Sequence, residues 1–188
     1  MSGGFIFCLV AAVIVILIVV FFIGTFNGFV KLRNSIDEAY STMDAYLEKR
    51  HDLIPNLVET VKGYAAHESG TLQKVTEARQ TAIDSSSQQD KAAAENQLTN
   101  TLKSLFAVSE NYPDLKANTN FLDLQKQLQK VEEDILNSRK YYNGYVKRYN
   151  TKLEQFPSSI VAHVNKLTRR EMFAAENAAD RENVKVEF

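Results

Sequence analysis

From Phe5 to Ile23 every residue is apolar, and the first charge in the chain is Lys31. A run of about 19 residues, rising about 1.5 Å each, covers close to the roughly 30 Å hydrocarbon core of a bilayer. Phe26, Phe29 and Val30 extend the apolar character past Gly24. A cleaved secretory signal would need a basic leader, a shorter apolar stretch and a small-x-small cleavage site. Met1-Ser2-Gly3-Gly4 carries no basic residue and Gly24-Thr25-Phe26-Asn27-Gly28 is a poor cleavage site, so the expectation is a retained single-pass anchor.

Beyond the anchor the pattern changes to steps of three and four. Leu32, Ile36, Ala39/Tyr40, Met43, Leu47, Ile54, Leu57, Val61 and Tyr64 form one helical stripe,. Pro55 lies inside it, and the missing backbone donor should cost about 3 kcal/mol or force a kink. Gly63 and His67-Glu68-Ser69-Gly70 predict an end or bend. A second helix is carried by Leu72, Val75, Ala78, Ala82 and Ile83. Ser85 to Asp90 then reads as a polar loop with Asp90 as a helix cap,. A third helix runs from Ala92 through Leu98, Leu102, Leu105 and Phe106 to Val108, and Tyr112-Pro113-Asp114 breaks it.

The most regular stripe follows: Phe121, Leu124, Leu128, Val131, Ile135, Ser138, Tyr142, Tyr145, Tyr149 and Phe156, over about five heptads, with Pro157 as its stop,. Ile160 to Leu167 predicts a shorter piece before a charged segment. Val184, Val186 and Phe188 alternate at the end. The predicted fold is all-α: a single N-terminal transmembrane helix followed by an antiparallel bundle of long helices. The predicted divisions are an anchor over 1–29, a long-helix bundle over 30–160, and a short helix with a C-terminal tail over 161–188.

Composition sharpens this picture. The 22 basic and 23 acidic side chains all lie beyond Val30, so a nearly balanced domain hangs on an uncharged stub. The roughly 160 remaining residues suffice for a real core. Three prolines, seven glycines and no tryptophan suit helices,. The charge balance lacks the basic excess of a nucleic-acid partner. Cys8, the lone cysteine, lies inside the apolar run, can form no intrachain disulfide and reads as lipid-facing,. Lys31, Arg33, Lys49 and Arg50 flank the span on its C-terminal side, and the positive-inside rule then puts the N-terminus outside and the large domain in the cytoplasm.

A search for chemistry returns little. His67-Glu68 starts like a zinc-protease HExxH, but Thr71 stands where the second histidine belongs,. Glu48-x-x-His51 has the spacing of a di-iron bundle, whose second copy is missing: Tyr64 precedes His67 and Ile160 precedes His163 at that spacing,. The pair is expected to be a polar surface feature. Glu132-Glu133-Asp134 points in three directions around a helix and reads as an exposed face. Gly-rich phosphate loops and nucleophile elbows are absent from the sequence. No catalytic residue, cofactor or metal ligand is predicted, and the chain is expected not to be an enzyme. Tyr141, Tyr142, Tyr145 and Tyr149, near Arg139 and Arg148, suit either a partner surface or a core stripe with hydroxyls at its edge; the core reading is preferred.

Two long words then become recognisable. Arg50-x-Asp52-Leu53-Ile54-Pro55-Asn56-Leu57-Val58-Glu59-Thr60-Val61-Lys62-Gly63-Tyr64-Ala65-x-His67-Glu68 resembles the signature of the bacterial LemA family. So does Ala107-Val108-x-Glu110-x-Tyr112-Pro113-Asp114-Leu115-Lys116-Ala117-Asn118-x-Asn120-Phe121. Arg139-x-x-Tyr142-Asn143, Tyr149-Asn150 and Phe156-Pro157 follow in the family's order. Tyr40 departs from the tryptophan of many members, and Val164-Asn165-Lys166-Leu167 replaces the usual Phe-Gly element.

The resemblance implies one membrane helix, a domain of long antiparallel helices and no known catalytic activity, at a bacterial plasma (inner) membrane. It also implies company with membrane metalloproteases of the HtpX type. The expectation is therefore a non-enzymatic, homo-oligomeric scaffold that organises or curves the lipid bilayer. The alternative is an adaptor or regulator of a membrane partner such as that protease. The candidate interaction or structural residues are Arg50, Asp52, Pro55, Asn56, His67, Glu68, Glu110, Tyr112, Pro113, Asp114, Lys116, Asn118, Asn120, Arg139, Tyr142 and Asn143. A ligand-sensing bundle would need an apolar pocket with convergent polar groups, and the sequence shows none. Leu167, Met172 and Phe173 among Lys166, Arg169 and Arg170 could touch anionic lipid; an ordinary last turn with a frayed tail is the commoner arrangement.

Overall fold

The computed structural model describes residues 3–173; the alternating Val184, Val186 and Phe188 lie outside them. The described residues form helices and no strand: α1 (Gly3–Lys62), a 3-10 turn (Ala66–Glu68), α2 (Ser69–Asp84), α3 (Gln88–Ser109), α4 (Pro113–Lys116), α5 (Thr119–Glu154) and α6 (Ser158–Val164). The apolar run and the first amphipathic stripe belong to one continuous helix. Its apolar part is long and apolar enough to cross a membrane, and none of that stretch is buried in the protein.

Pro55 lies inside α1 and does not end it. The reason is visible one turn back. A proline at 55 cannot donate to the His51 carbonyl, which the helix would otherwise satisfy. Arg79 on α2 donates to that carbonyl instead, from Nε at 2.7 Å. The bond the proline forfeits is supplied from a neighbouring helix.

Caps account for the other boundaries. The α2–α3 turn shrinks to three residues because Ser87, not Asp90, is the cap: its Oγ accepts from the Asp90 amide at 3.1 Å,. Asn118 starts α5, its Oδ1 accepting from the Phe121 amide at 3.0 Å. At the end of α6, Leu167 N donates to Ala162 O and Lys166 N to His163 O, both at 3.0 Å. With Lys166 at a φ of 52°, this is the six-to-one closure that usually recruits glycine.

The chain divides into two compact units. Among the described residues, one comprises 3–40 and 141–172, and the other comprises 41–140 together with Phe173. In the second unit the α1 segment, α2, α3 and the α5 segment alternate in direction. Lys91 pairs with Asp44 and Arg50 with Glu95, so α3 runs with α1. Arg79 meets His51, and Glu132 and Arg139 meet Thr99 and Asn96, so α2 and α5 run against them. Ile54, Leu57, Val61, Leu72, Val75, Leu98, Leu105, Leu115, Phe121 and Leu128 fill the core. In the first unit α5 also runs antiparallel to α1: Tyr149 meets Phe29 edge-on with ring centroids 5.8 Å apart, and Tyr142 meets Tyr40 at 5.8 Å.

The α5 stripe is correct up to Tyr142. Beyond it Val146 is fully buried, Tyr145 only half-buried, and Phe156 is exposed because α5 stops at Glu154. Tyr142 and Tyr149 are core residues and Tyr141 is exposed.

Candidate functional site

Three groups of candidate residues emerge, and they do not form one site. The first is a buried ion cluster in the second unit. Arg50 continues the Met43–Leu47–Ile54–Leu57 stripe and is fully buried, so it is a polar link inside the bundle. Its Nη2 donates to Glu95 Oε2 and, at 3.3 Å, to the Glu95 carbonyl. Its Nη1 donates to Thr99 Oγ1 at 2.8 Å and Glu132 Oε1 at 2.5 Å. His51 Nε2 lies 3.0 Å from the other Glu95 oxygen.

Two further expectations fall with it. His51 is buried rather than part of a surface pair, while Glu48 is exposed and takes no part. Glu132 leaves the solvated acidic face to hold Arg50, whereas Glu133 stays exposed.

Burial alone would push the Glu95 carboxyl up. The close approach of His51 and the charge of Arg50 outweigh it and hold Glu95 below the usual carboxylate range,. Such a cluster fixes helix register more surely than it adds net stability, because desolvation offsets much of the attraction. The sequence contained a signal for Glu95: it stands three residues from both Ala92 and Leu98, on the buried stripe,.

The second group gathers at one end of the second unit, where the end of α1 meets the α3–α5 connection. Asn118 Nδ2 donates to Tyr64 Oη at 2.9 Å, and Tyr112 Oη donates to Glu68 Oε1 at 3.0 Å. The bond to Glu68 pushes the Tyr112 phenol above its ordinary pKa. Lys116 pairs with Glu110 across the turn. Leu115 of α4 is buried beneath, while His67, Glu110, Pro113, Asp114, Lys116 and Asn120 remain exposed. The two sequence words, about 50 residues apart in the chain, thus meet side by side. Asp52, Pro55 and Asn56 are exposed on α1.

The remaining candidates are structural. Arg139 donates from Nη1 to Asn96 Oδ1 at 2.8 Å, and its guanidinium lies 4.8 Å above the ring centre of Phe173. Phe173 is fully buried, so it does not belong to a lipid-touching tail. In the first unit Tyr142 Oη donates to the Glu171 carbonyl at 3.0 Å, with half-buried Asn143 beside it in sequence. Asn150 brackets Arg170, donating to its carbonyl at 2.8 Å and accepting from its amide at 3.0 Å.

An open cleft of about 400 Å³ lies between α3 and α5 in the second unit. Leu102, Phe106, Leu128, Ile135 and Leu136 contribute apolar surface, with Lys103, Glu132 and Arg139 among its polar lining. It is the concavity a sensing role would need, which the sequence alone could not reveal. No group of three or more histidine, cysteine or acidic side chains suited to a metal ion occurs among the described residues.

Fold and site together define a class: an all-helical, membrane-associated protein with one apolar N-terminal helix of membrane-spanning length and a bundle closed by internal polar links. A model of the LemA family matches residues 39–188. The chain belongs to the LemA family. It is similar to Protein LemA of Metamycoplasma hominis, 26% identical over 145 residues, covering 75% of this chain and 65% of that protein. It is also similar to magnetosome protein MamQ 2 of Paramagnetospirillum magneticum, 24% identical over 198 residues, covering 89% of this chain and 73% of that one. MamQ of Magnetospirillum gryphiswaldense is 21% identical over 181 residues, covering 82% and 66%. The chain thus spans about two thirds of the length of these relatives.

Proposed function

We propose that this protein is a non-enzymatic, single-pass scaffold of the bacterial plasma membrane, N-terminus outside and bundle in the cytoplasm. Copies of it associate through the polar end of the second unit and organise or curve the bilayer. The observation that carries this reading is the meeting of the two signature words at that end. Side-chain links (Tyr64–Asn118, Tyr112–Glu68) hold the shape while His67, Glu110, Asp114, Lys116 and Asn120 are offered to solvent. A rigid surface of mixed charge, with aromatic and amide groups, suits a protein partner. The likeness to proteins named for the magnetosome fits the same membrane placement.

The same surface also favours a second reading, an adaptor for one membrane partner, with a metalloprotease of the HtpX type as the first to test. Light scattering of the full chain in mild detergent and in nanodiscs separates the two. Assemblies that dissociate on Glu110→Lys with Lys116→Glu and His67→Ala support the scaffold. A monomer that retains one stoichiometric membrane partner, lost in the same variant, supports the adaptor. A monomer that recovers no partner removes both.

A further inference from the structure

The first unit ends in a short helix that is apolar on both sides. Val161 and Ala162 face inward and are buried. On the other side Phe156, Ile160 and Val164 are 82%, 54% and 62% exposed. Ile160 and Val164, four residues apart on α6, share one face of it,, and Phe156 stands in the turn just before that helix. Exposed apolar side chains scattered singly need no explanation, but three within nine residues at one turn do.

Their height along α1 identifies what covers them. Tyr149 meets Phe29, and the Lys152 ammonium lies 4.9 Å from the Phe29 ring centre, where a Cβ on Gly28 would strike it. Because α5 runs against α1, each further turn of α5 moves about 5.4 Å toward the apolar run. α5 ends at Glu154, five residues and about 7.5 Å past Tyr149, which brings the turn that follows it to about the level of Gly24, at the end of the apolar run,. After α6 the chain returns at the same height: Leu167 lines a small cleft with Phe26, Phe29, Val30, Arg33 and Tyr149. The exposed apolar side chains therefore lie near the level at which the membrane-length stretch ends. Arg33 lines that same cleft, the Lys152 ammonium lies over Phe29, and Lys166 directly precedes Leu167, so cations stand near this level. Burial pushes the Lys152 ammonium down from its ordinary pKa.

We propose that α6 is a second membrane contact, which seats Phe156, Ile160 and Val164 in the boundary between headgroups and acyl chains of the leaflet where α1 emerges. The inference rests on the reading of α1 as a membrane span. Apolar side chains enter the boundary while neighbouring cations meet anionic headgroups, as in interfacial helices. Two points of attachment, α1 and α6, then fix the tilt of the first unit against the bilayer, which a single span does not.

The test uses the full chain with Cys8→Ser and single cysteines at Phe156, Ile160, Val164, Val15 and Lys147. Each is labelled with a fluorophore and placed in nanodiscs of phosphatidylcholine with one quarter phosphatidylglycerol. Quenching by brominated acyl chains is then measured. Val15, in the apolar run, and Lys147, exposed on α5, set the lipid and water limits. The expected result is strong quenching at Val15 and at least twofold more quenching at Phe156, Ile160 and Val164 than at Lys147. If those three match Lys147 while Val15 is quenched, the contact is wrong and the anchor stands. An unquenched Val15 removes the anchor and the contact together. Shielding from water without quenching, growing when two chains share a disc, assigns these side chains to a second copy and also overturns the proposal.

Discussion

The two units solve the problem of polar groups on buried helix faces in opposite ways. The second unit puts full charges inside and pairs them with one another, Arg50 with Glu95 and Glu132, and His51 stands beside Glu95. The first unit keeps charge out of its core and buries neutral groups, Tyr142 and Asn150, whose polar atoms bind the backbone of the returning segment at Glu171 and Arg170. Charge pairs fix which helix faces which, at a high desolvation cost. Bonds to backbone fasten a strand of chain cheaply and regardless of its side chains. One unit is held by register, the other by a strap.

The sharpest way to break this contrast is to unpair Arg50. Glu95→Ala leaves a buried guanidinium short of its main partner and is expected to cost about 3–5 kcal/mol in thermal unfolding of the detergent-solubilised chain. Replacing both partners, Arg50→Met with Glu95→Leu, should recover most of that loss. If the double variant is as unstable as the single one, the cluster is not the register device described. The pair also predicts an acid response. The folded carboxyl lies below its ordinary value, so its contribution is complete above about pH 5 and is lost as pH falls through the lowered value,. The double variant should lose this part of the acid dependence, read from stability measured between pH 3 and 6.

Arg79 gives the next effect. Arg79→Ala abandons the His51 carbonyl and is expected to cost about 1.5–3 kcal/mol. With Pro55→Ala in place the helix supplies its own donor at 55, so the same change should cost less than half as much. Equal costs in both backgrounds would disprove the compensation. Smaller again is the strap: Asn150→Ala should cost about 1–2 kcal/mol and accelerate tryptic cleavage at Arg169 and Arg170 relative to sites in α3. The smallest change is a gain. Lys166 adopts a left-handed conformation that glycine takes without penalty, so Lys166→Gly is expected to stabilise the first unit by roughly 0.5–1 kcal/mol.

The sequence announced the helices because their stripes are long. Ile36 to Val61 and Phe121 to Tyr142 are buried nearly as the three- and four-residue steps require. It announced the α3–α5 turn through Tyr112-Pro113. It could not announce that Arg50 and Glu95 are inside. Each occupies a stripe position, but only the parallel course of α1 and α3 makes two opposite charges meet, and that is a tertiary fact. The partner at Pro55 was hidden for the same reason: a local rule counts the donor that proline lacks, and a side chain 24 positions later supplies another to the same carbonyl. The polar end was readable as two words, and their adjacency was not. The apolar character of α6 was plain, but a short helix with apolar residues on every side does not say which of them is covered.

Arg50 also sets a clock. Translation reaches it well before its partners, Glu95 following 45 positions later and Glu132 82 positions later. At about 5–20 residues per second, Glu132 is made roughly 4–16 s after Arg50. Until α2 and α3 follow, the newborn α1 displays a seam of Met43, Leu47, Ile54 and Leu57. The guanidinium in the middle keeps that seam from being one unbroken greasy ridge. The residue that locks the finished bundle is also the one that interrupts the apolar seam of its first helix.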